Sequence, residues 1–246
     1  MNDIVSVVIP VGEWENFVVR AIKSVQSQGS IVGEILLIDN AISRPEIRTS
    51  VLAKISDPKL RVVKSKIYRD AARARNIGID CAHYDFIAVL DSDDEYLPGH
   101  LNRAIHSLDL AKADFYCSSY LNKDHNGTEK LIAANSSVDI PVLLSDYRIG
   151  HSTVVFRKSS KIRYPEIGLR HDLAAWLQYF QTKDASFVSS QKVGMIRHKR
   201  ADSYSSVSKL KLLFKQLNVS IKFSGVNIFI VLLLQTKYIM RKLVDR

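Results

Sequence analysis

Two cysteines in 246 residues, Cys81 and Cys117, are too few and too isolated to build a disulfide framework. They are expected as buried free thiols in a reducing compartment. No apolar run approaches the roughly 18 residues that a membrane-spanning helix needs. The opening MNDIVSVVIP has an acid at position 3 and no basic stretch, so a secretory signal is not expected. There is no internal repeat, and the only biased block is SYSSVS at 203–208. Acids are scarce in one region alone. Residues 195–246 hold 2 Asp+Glu against 11 Lys+Arg, whereas residues 1–194 hold 23 against 24. The formal net charge of +10 therefore belongs to a tail, and it is no sign that the main body binds nucleic acid.

What is present is the composition of a folded globule, with 46% hydrophobic and 24% charged residues. IVSVVIP (4–10), EILLID (34–39), LRVVKS (60–65) and DFIAVLD (85–91) read as strands, most of them continuously apolar and β-branched. Between them lie helical patterns. Trp14, Phe17, Val18, Ala21, Ile22 and Val25 share one helical face, and helices are predicted over 44–55, 70–82 and 97–113. Strands of this kind alternating with helices predict a mostly parallel α/β sheet covered on both faces. Beyond residue 113 the pattern weakens. Strands are expected at 113–121 and 151–159, a polar turn at 122–130, a helix at 172–181, and two short strands at SFVSS and VGMIRH.

Ligands of such sheets bind at the carboxyl ends of the strands. Pro10, Asp39 and Asp91 all fall there. The stretch FIAVLDSDDEYLP crowds Asp91, Asp93, Asp94 and Glu95 directly after a buried strand, where like charges repel. Such a group normally holds a hard cation, with Mg²⁺ or Mn²⁺ taking one or two carboxylates plus phosphate oxygens. Asp94 and Glu95 are expected to support the turn and the start of the next helix.

VSVVIPV, EILLIDN, ARNIGI (74–79) and FIAVLDSDDEYLP occur in the order and at the spacing of the family 2 glycosyltransferases, and residues 4–180 resemble that family. The resemblance implies a GT-A fold with a Rossmann-like nucleotide-binding half over about 1–112 and an acceptor half over about 113–200. It implies an inverting transfer from a nucleoside-diphosphate sugar, UDP-linked, to a hydroxyl of a glycan or lipid-linked acceptor in bacterial surface polysaccharide synthesis. It places Pro10, Val11, Gly12 and Glu13 near the base, although Gly12 and Glu13 stand where members commonly carry Tyr and Asn. Asp39 would contact the base or its ribose, and Arg75 the base or phosphate. Asp91 and Ser92 would serve the nucleotide sugar, and Asp93, with Asp91, the Mn²⁺ or Mg²⁺. The Gly usual before the A-R-N motif is absent, with Asp70 roughly in its place.

In the family the acceptor hydroxyl loses its proton to the Asp of a Glu-Asp pair opening a helix. Here YPEIGLRHDLAAWLQYF puts Asp172 in the Asp place and His171 in the Glu place, so Asp172 is the expected base. Arg197, His198 and Arg200, in MIRHKRADSYS, match the family's closing segment. His198 is expected to touch metal or diphosphate, and an arginine to steady the charge.

Residues 201–246 read as basic amphipathic helices, with Leu210, Leu213, Phe214, Leu217 and Ile221 on one face. Three partners stay open for them: an anionic membrane surface, the catalytic domain, or a second copy of the chain. The first would place the protein at the cytoplasmic face of the cell membrane. No aromatic interleaving suggests nucleic acid. Two other functions stay open as well. A sugar nucleotidyltransferase would need a Gly-rich, basic triphosphate loop, which PVGEWEN lacks. A non-catalytic sugar-nucleotide-binding or membrane scaffold protein could carry the same fold.

Overall fold

Continuous apolar strands and amphipathic helices assemble as the periodicities demand. The structure is a computed structural model that describes residues 3–41, 45–66, 68, 70–199 and 209–244. The chain runs β1 (Val5–Val11), α1 (Asn16–Gln26), β2 (Val32–Asp39), α2 (Pro45–Leu52), β3 (Leu60–Lys64), α3 (Ala71–Cys81), β4 (Phe86–Val89), β5 (Glu95–Tyr96) and α4 (His100–Ala111). It continues through β6 (Phe115–Lys123), β7 (Glu129–Ile132), α5 (Ile140–Ser145), β8 (Val155–Arg157), α6 (His171–Tyr179), β9 (Phe187–His198), α7 (Lys209–Phe223) and α8 (Ile228–Val244).

One nine-stranded sheet has the order β3-β2-β1-β4-β8-β6-β9-β5, with β7 paired to β6 outside that path. The first four strands are parallel, so Val11, Asp39 and the residues after Val89 emerge on the same edge. β8 then runs antiparallel to both β4 and β6. Two apolar cores flank the sheet. One gathers Val18, Ala21, Ile22 and Val25 of α1 with Leu101, Ala104 and Leu108 of α4. The other gathers α3, α5 and α6 around Phe115 and Trp176.

The weaker second half departs from expectation in several places. SFVSS and VGMIRH are a single strand, β9, made continuous by a register irregularity opposite Ser118–Tyr120. The expected polar turn at 122–130 narrows, because Asn122–Lys123 and Glu129–Lys130 pair as a hairpin. Only Val155–Arg157 of 151–159 is strand, flanked by 3-10 turns. Helix α5 carries no periodic signal in six residues and is capped by Asp139, which accepts from Val142 N at 2.7 Å. Glu95 does not open α4. It lies in β5, pairing with Ile196, while Gly99 caps α4 in the left-handed region.

Asp70 has a local reason. It is the N-cap of α3 and accepts from Arg73 N at 3.0 Å. Two turns on, Gly78 lets α3 press onto β1, where a Cβ would lie 2.2 Å from Val8 Cγ1. The cap and this contact together fix how α3 presents Arg75.

The helices of the tail are folded against the rest. Val219, Val231 and Tyr238 join the core around α5 and α6. Gln235 Nε2 donates to Leu144 O at 2.9 Å and to Ser220 Oγ at 3.1 Å. Leu213 and Leu217 turn inward, whereas Phe214 and Ile221 stay exposed. Leu210 and Arg200 lie outside the residues whose side chains are described.

Gly78→Ala is expected to destabilise the fold by about 1–3 kcal/mol through overpacking. In chemical denaturation, adding Val8→Ala should recover part of that loss. A second expectation concerns His100, buried between Tyr96 and Tyr116. Burial, helped by the charge of Arg103, lowers its pKa from 6.5 to about 3. Between those values the unfolded chain binds a proton that the fold refuses, so stability falls as pH is lowered through that window. His100→Phe should flatten the pH slope of the denaturation midpoint, whatever it does to absolute stability.

Candidate active site

The turn after β4 is held by Arg75, which is only 5% exposed. Its Nη2 forms an ion pair with Asp91 Oδ1, and its Nη1 lies 2.5 Å from His171 Nε2. His171 Nδ1 lies 2.6 Å from the Gly168 carbonyl and is therefore the protonated nitrogen, leaving Nε2 to accept from Arg75. Burial, then the Arg75 charge, lowers the His171 pKa to about 4, so the ring is neutral near pH 7. Burial alone would raise the Asp91 carboxyl, but Arg75 and His151 outweigh it and hold it well below the usual range. The neighbouring Asn76 grips the backbone of Tyr164, donating to its O at 2.8 Å and accepting from its N at 2.9 Å. The A-R-N motif thus joins three segments: α3, the acidic turn and the chain leading into α6.

That chain enters α6 through Gly168 (φ +73) and Arg170 (φ +65), the latter a left-handed non-glycine residue at the helix N-cap. Asp172 is therefore not the cap. It lies in the first turn, near the positive end of the helix dipole. Tyr147 Oη donates to its Oδ2 at 2.8 Å. Burial raises the Asp172 pKa, but His171, Arg170, His151 and the Leu173 N–H overcome this and bring it to about 2. The group is an ionised carboxylate at any physiological pH.

The four acids of the turn have different surroundings. Asp94 is buried, and that burial together with Asp93 and Asp91 raises its pKa well above normal. It bonds Ser152 Oγ at 2.6 Å and accepts from His198 N at 3.2 Å. Glu95 meets His198 Nε2 at 3.1 Å and Arg20 at 3.8 Å. Asp93 is half-buried, and its carbonyl accepts from Arg20. His198 thus reaches the turn through Glu95 and Asp94. Arg197 is exposed, and its charge acts on Tyr120, Asp94, Asp91 and Asp172. Among the described residues no group of three or more His, Cys, Asp or Glu is gathered as a metal cage.

At the ends of β1 and β2, Pro10 and Val11 are buried within the strand, and the Val11 carbonyl accepts from Asn40 N at 2.9 Å. Glu13 is exposed and Ser92 half-buried. Both oxygens of Asp39 are engaged, one by Trp14 Nε1 at 2.9 Å and the other by Arg48 Nη1 at 3.1 Å. Asp39, Asp91 and Asp93 follow the carboxyl ends of β2 and β4, and Arg75 and His171 link that edge to the helix that carries Asp172.

Sequence reasoning missed several participants: Arg48, Tyr147, Tyr164 and above all His151. The His151 ring is buried between Asp91, 3.6 Å from its Nδ1, and Tyr164, whose Oη is 3.1 Å from its Nε2. It stacks on Trp176 with centroids 6.0 Å apart. Burial, then Arg75, lowers its pKa. The only available signal was a histidine between a glycine and a strand in RIGHSTVVF.

The description Glycosyl transferase family 2 matches residues 6–165. Two curated relatives from Escherichia coli are the UDP-Glc:alpha-D-GlcNAc-diphosphoundecaprenol beta-1,3-glucosyltransferases WfaP and WfgD. WfaP is 27% identical over 220 residues, 88% of this chain and 85% of its own. WfgD is 28% identical over 220 residues, 88% of this chain and 84% of its own. Among solved structures, S. aureus TarS 1–349 in complex with UDP-GlcNAc superposes with a TM-score of 0.66 at 17% identity, over 96% of this chain and 71% of that one. That likeness is one of fold. The chain belongs to glycosyl transferase family 2 and is a glycosyltransferase of the GT-A fold.

Proposed function

We infer that the enzyme transfers a hexose with inversion from a UDP-sugar to a hydroxyl of a diphospholipid-linked glycan, as a step in bacterial surface polysaccharide synthesis. The observation that carries this reading is the continuous chain Asp91–Arg75–His171, which sets the acidic turn beside the helix whose next residue is Asp172. The names of WfaP and WfgD support both the UDP donor and the diphosphoundecaprenol acceptor.

In this reading the nucleotide lies along the edge formed by β1, β2 and β4. Asp39, kept in place by Trp14 and Arg48, addresses the base or ribose, and Asp91 and Ser92 the ribose and diphosphate. Arg197 supplies positive charge to the diphosphate from the open side. The donor set suits a hard cation. With Asp91 committed to Arg75, and Asp94 buried, Asp93 is the carboxylate that would hold Mg²⁺ or Mn²⁺, the diphosphate supplying further oxygens. When bound, such a cation stabilises the departing diphosphate as a Lewis acid.

Asp172 receives the proton of the acceptor hydroxyl. The acceptor oxygen forms its bond to the anomeric carbon while the bond from that carbon to the diphosphate oxygen breaks, and a single displacement inverts the centre. A carboxylate with a pKa of about 2 is a weak base, so the proton moves late, once attack has made the hydroxyl acidic. Tyr147 fixes one carboxylate oxygen and so orients the other.

Asp172→Asn should lower turnover with UDP-glucose and a diphospholipid-linked acceptor by at least about a hundredfold. UDP-sugar affinity, read by calorimetry, should stay near that of the wild type. Near-normal turnover would remove Asp172 from the role of base. Asp93→Asn has a different signature: its donor affinity should no longer rise when Mn²⁺ is added. A wild-type enzyme that transfers at full rate in chelator, with Asp93→Asn unaffected, would overturn the metal assignment. If the wild type neither transfers sugar nor hydrolyses any UDP-sugar, the scaffold reading takes its place.

A further inference from the structure

We propose that the outer face of α7 and α8 is a membrane-docking surface that lies on an anionic bilayer without crossing it. The surface stands independently of the reading of the active site.

One side of α8 is committed to the protein: Val231, Gln235 and Tyr238 are buried. The opposite side is apolar and bare. Phe229 is 77% exposed and Leu233 60%, with Met240 in line about two turns beyond Leu233 and Leu232 and Ile230 at the flanks. These positions fall on one stripe at the helical period, directly across from the buried stripe. On α7, Phe214 is exposed as well. Exposed apolar surface of this extent on a soluble face marks an interaction site.

Charge decides the occupant. Residues 209–244 contain seven Lys and Arg and not one Asp or Glu. Lys211, Lys222 and Lys237 stand exposed around the stripe. A symmetric contact with a second copy would bring this face against itself and set like charges together. A bilayer with anionic headgroups satisfies both features, taking the apolar stripe into its interface and the lysines at its surface. No described helix is long and apolar enough to cross a membrane.

The outer side of α7 also borders the chain that enters α6. A groove of about 300 Å³ runs between α7 and the chain entering α6, lined by Ile167, Leu169, Lys211, Phe214, Lys215 and Asn218. It opens beside the segment that carries Arg170, His171 and Asp172.

The test is flotation of the full chain with vesicles of phosphatidylcholine alone and of phosphatidylcholine mixed with phosphatidylglycerol. The wild type should float with the mixed vesicles, less so as salt is raised, and remain below with the neutral ones. The variant F229S/L233S/M240S should lose roughly tenfold or more of that binding, with unchanged thermal midpoint and UDP-sugar hydrolysis. K211Q/K222Q/K237Q should lose the preference for anionic lipid. Wild-type protein that ignores both vesicle types overturns the proposal. So does a serine variant that floats as well as the wild type, or a wild-type dimer in solution that the serine substitutions dissolve.

Discussion

The structure depends on one buried guanidinium. Arg75 is taken out of water, which is costly, and the cost is met by Asp91 on one side and His171 on the other. Removing Asp91 would strand the buried Arg75 charge, a cost tempered by the partial exposure of Asp91 itself. The arrangement joins the end of β4 to the start of α6. Asp70 starts α3 and Gly78 seats it on Val8, so the position of the guanidinium is fixed by backbone contacts rather than by its own flexible stem.

The same ion pair helps four acids share a short turn. They do not carry four equivalent charges. Asp91 is ionised against Arg75, and Glu95 lies between Arg20 and His198. Asp94, buried and facing two like charges, favours its proton and serves as a hydrogen-bonding post for Ser152 and His198. What the sequence presents as a uniform acidic cluster is a set of environments graded by burial and by distance from arginine.

Much of this was legible in the sequence where the cause is local. Strands β1, β2 and β4 announce themselves because they are buried on both faces, and α1 because its apolar face recurs at 3.6 residues. Asp39 and Asp91 were singled out because each follows a strand end, and Asp172 because the stretch YPEIGLRHDLAAWLQYF resembles the family's. The remainder depends on contacts across long stretches of chain, which leave no periodic trace. Tyr147 reaches Asp172, His151 reaches Asp91, and Arg48 reaches Asp39 only after folding. The short β5 exists because β9 passes beside it. His171 is the instructive case. A neutral acceptor replaces the acid usual in the family, and it still receives a hydrogen bond from Arg75 without adding a negative charge beside Asp91 and Asp172.

The two terminal helices extend the same logic outward. α7 packs on α6, and α8 is tied to the end of α5 through Gln235, while Arg241 pairs with Asp146 at 2.7 Å. Next to Asp146 in sequence is Tyr147, the residue that orients Asp172. The helices that display the apolar, basic face are therefore packed on the elements that carry Tyr147 and Asp172. A lipid-borne acceptor presents its sugar within a short distance of the headgroups, so an enzyme acting on it gains from a fixed height and tilt above the bilayer. On the proposed docking of α7 and α8, their packing on α5 and α6 would supply that orientation, whereas a loosely tethered anchor would raise only the local concentration.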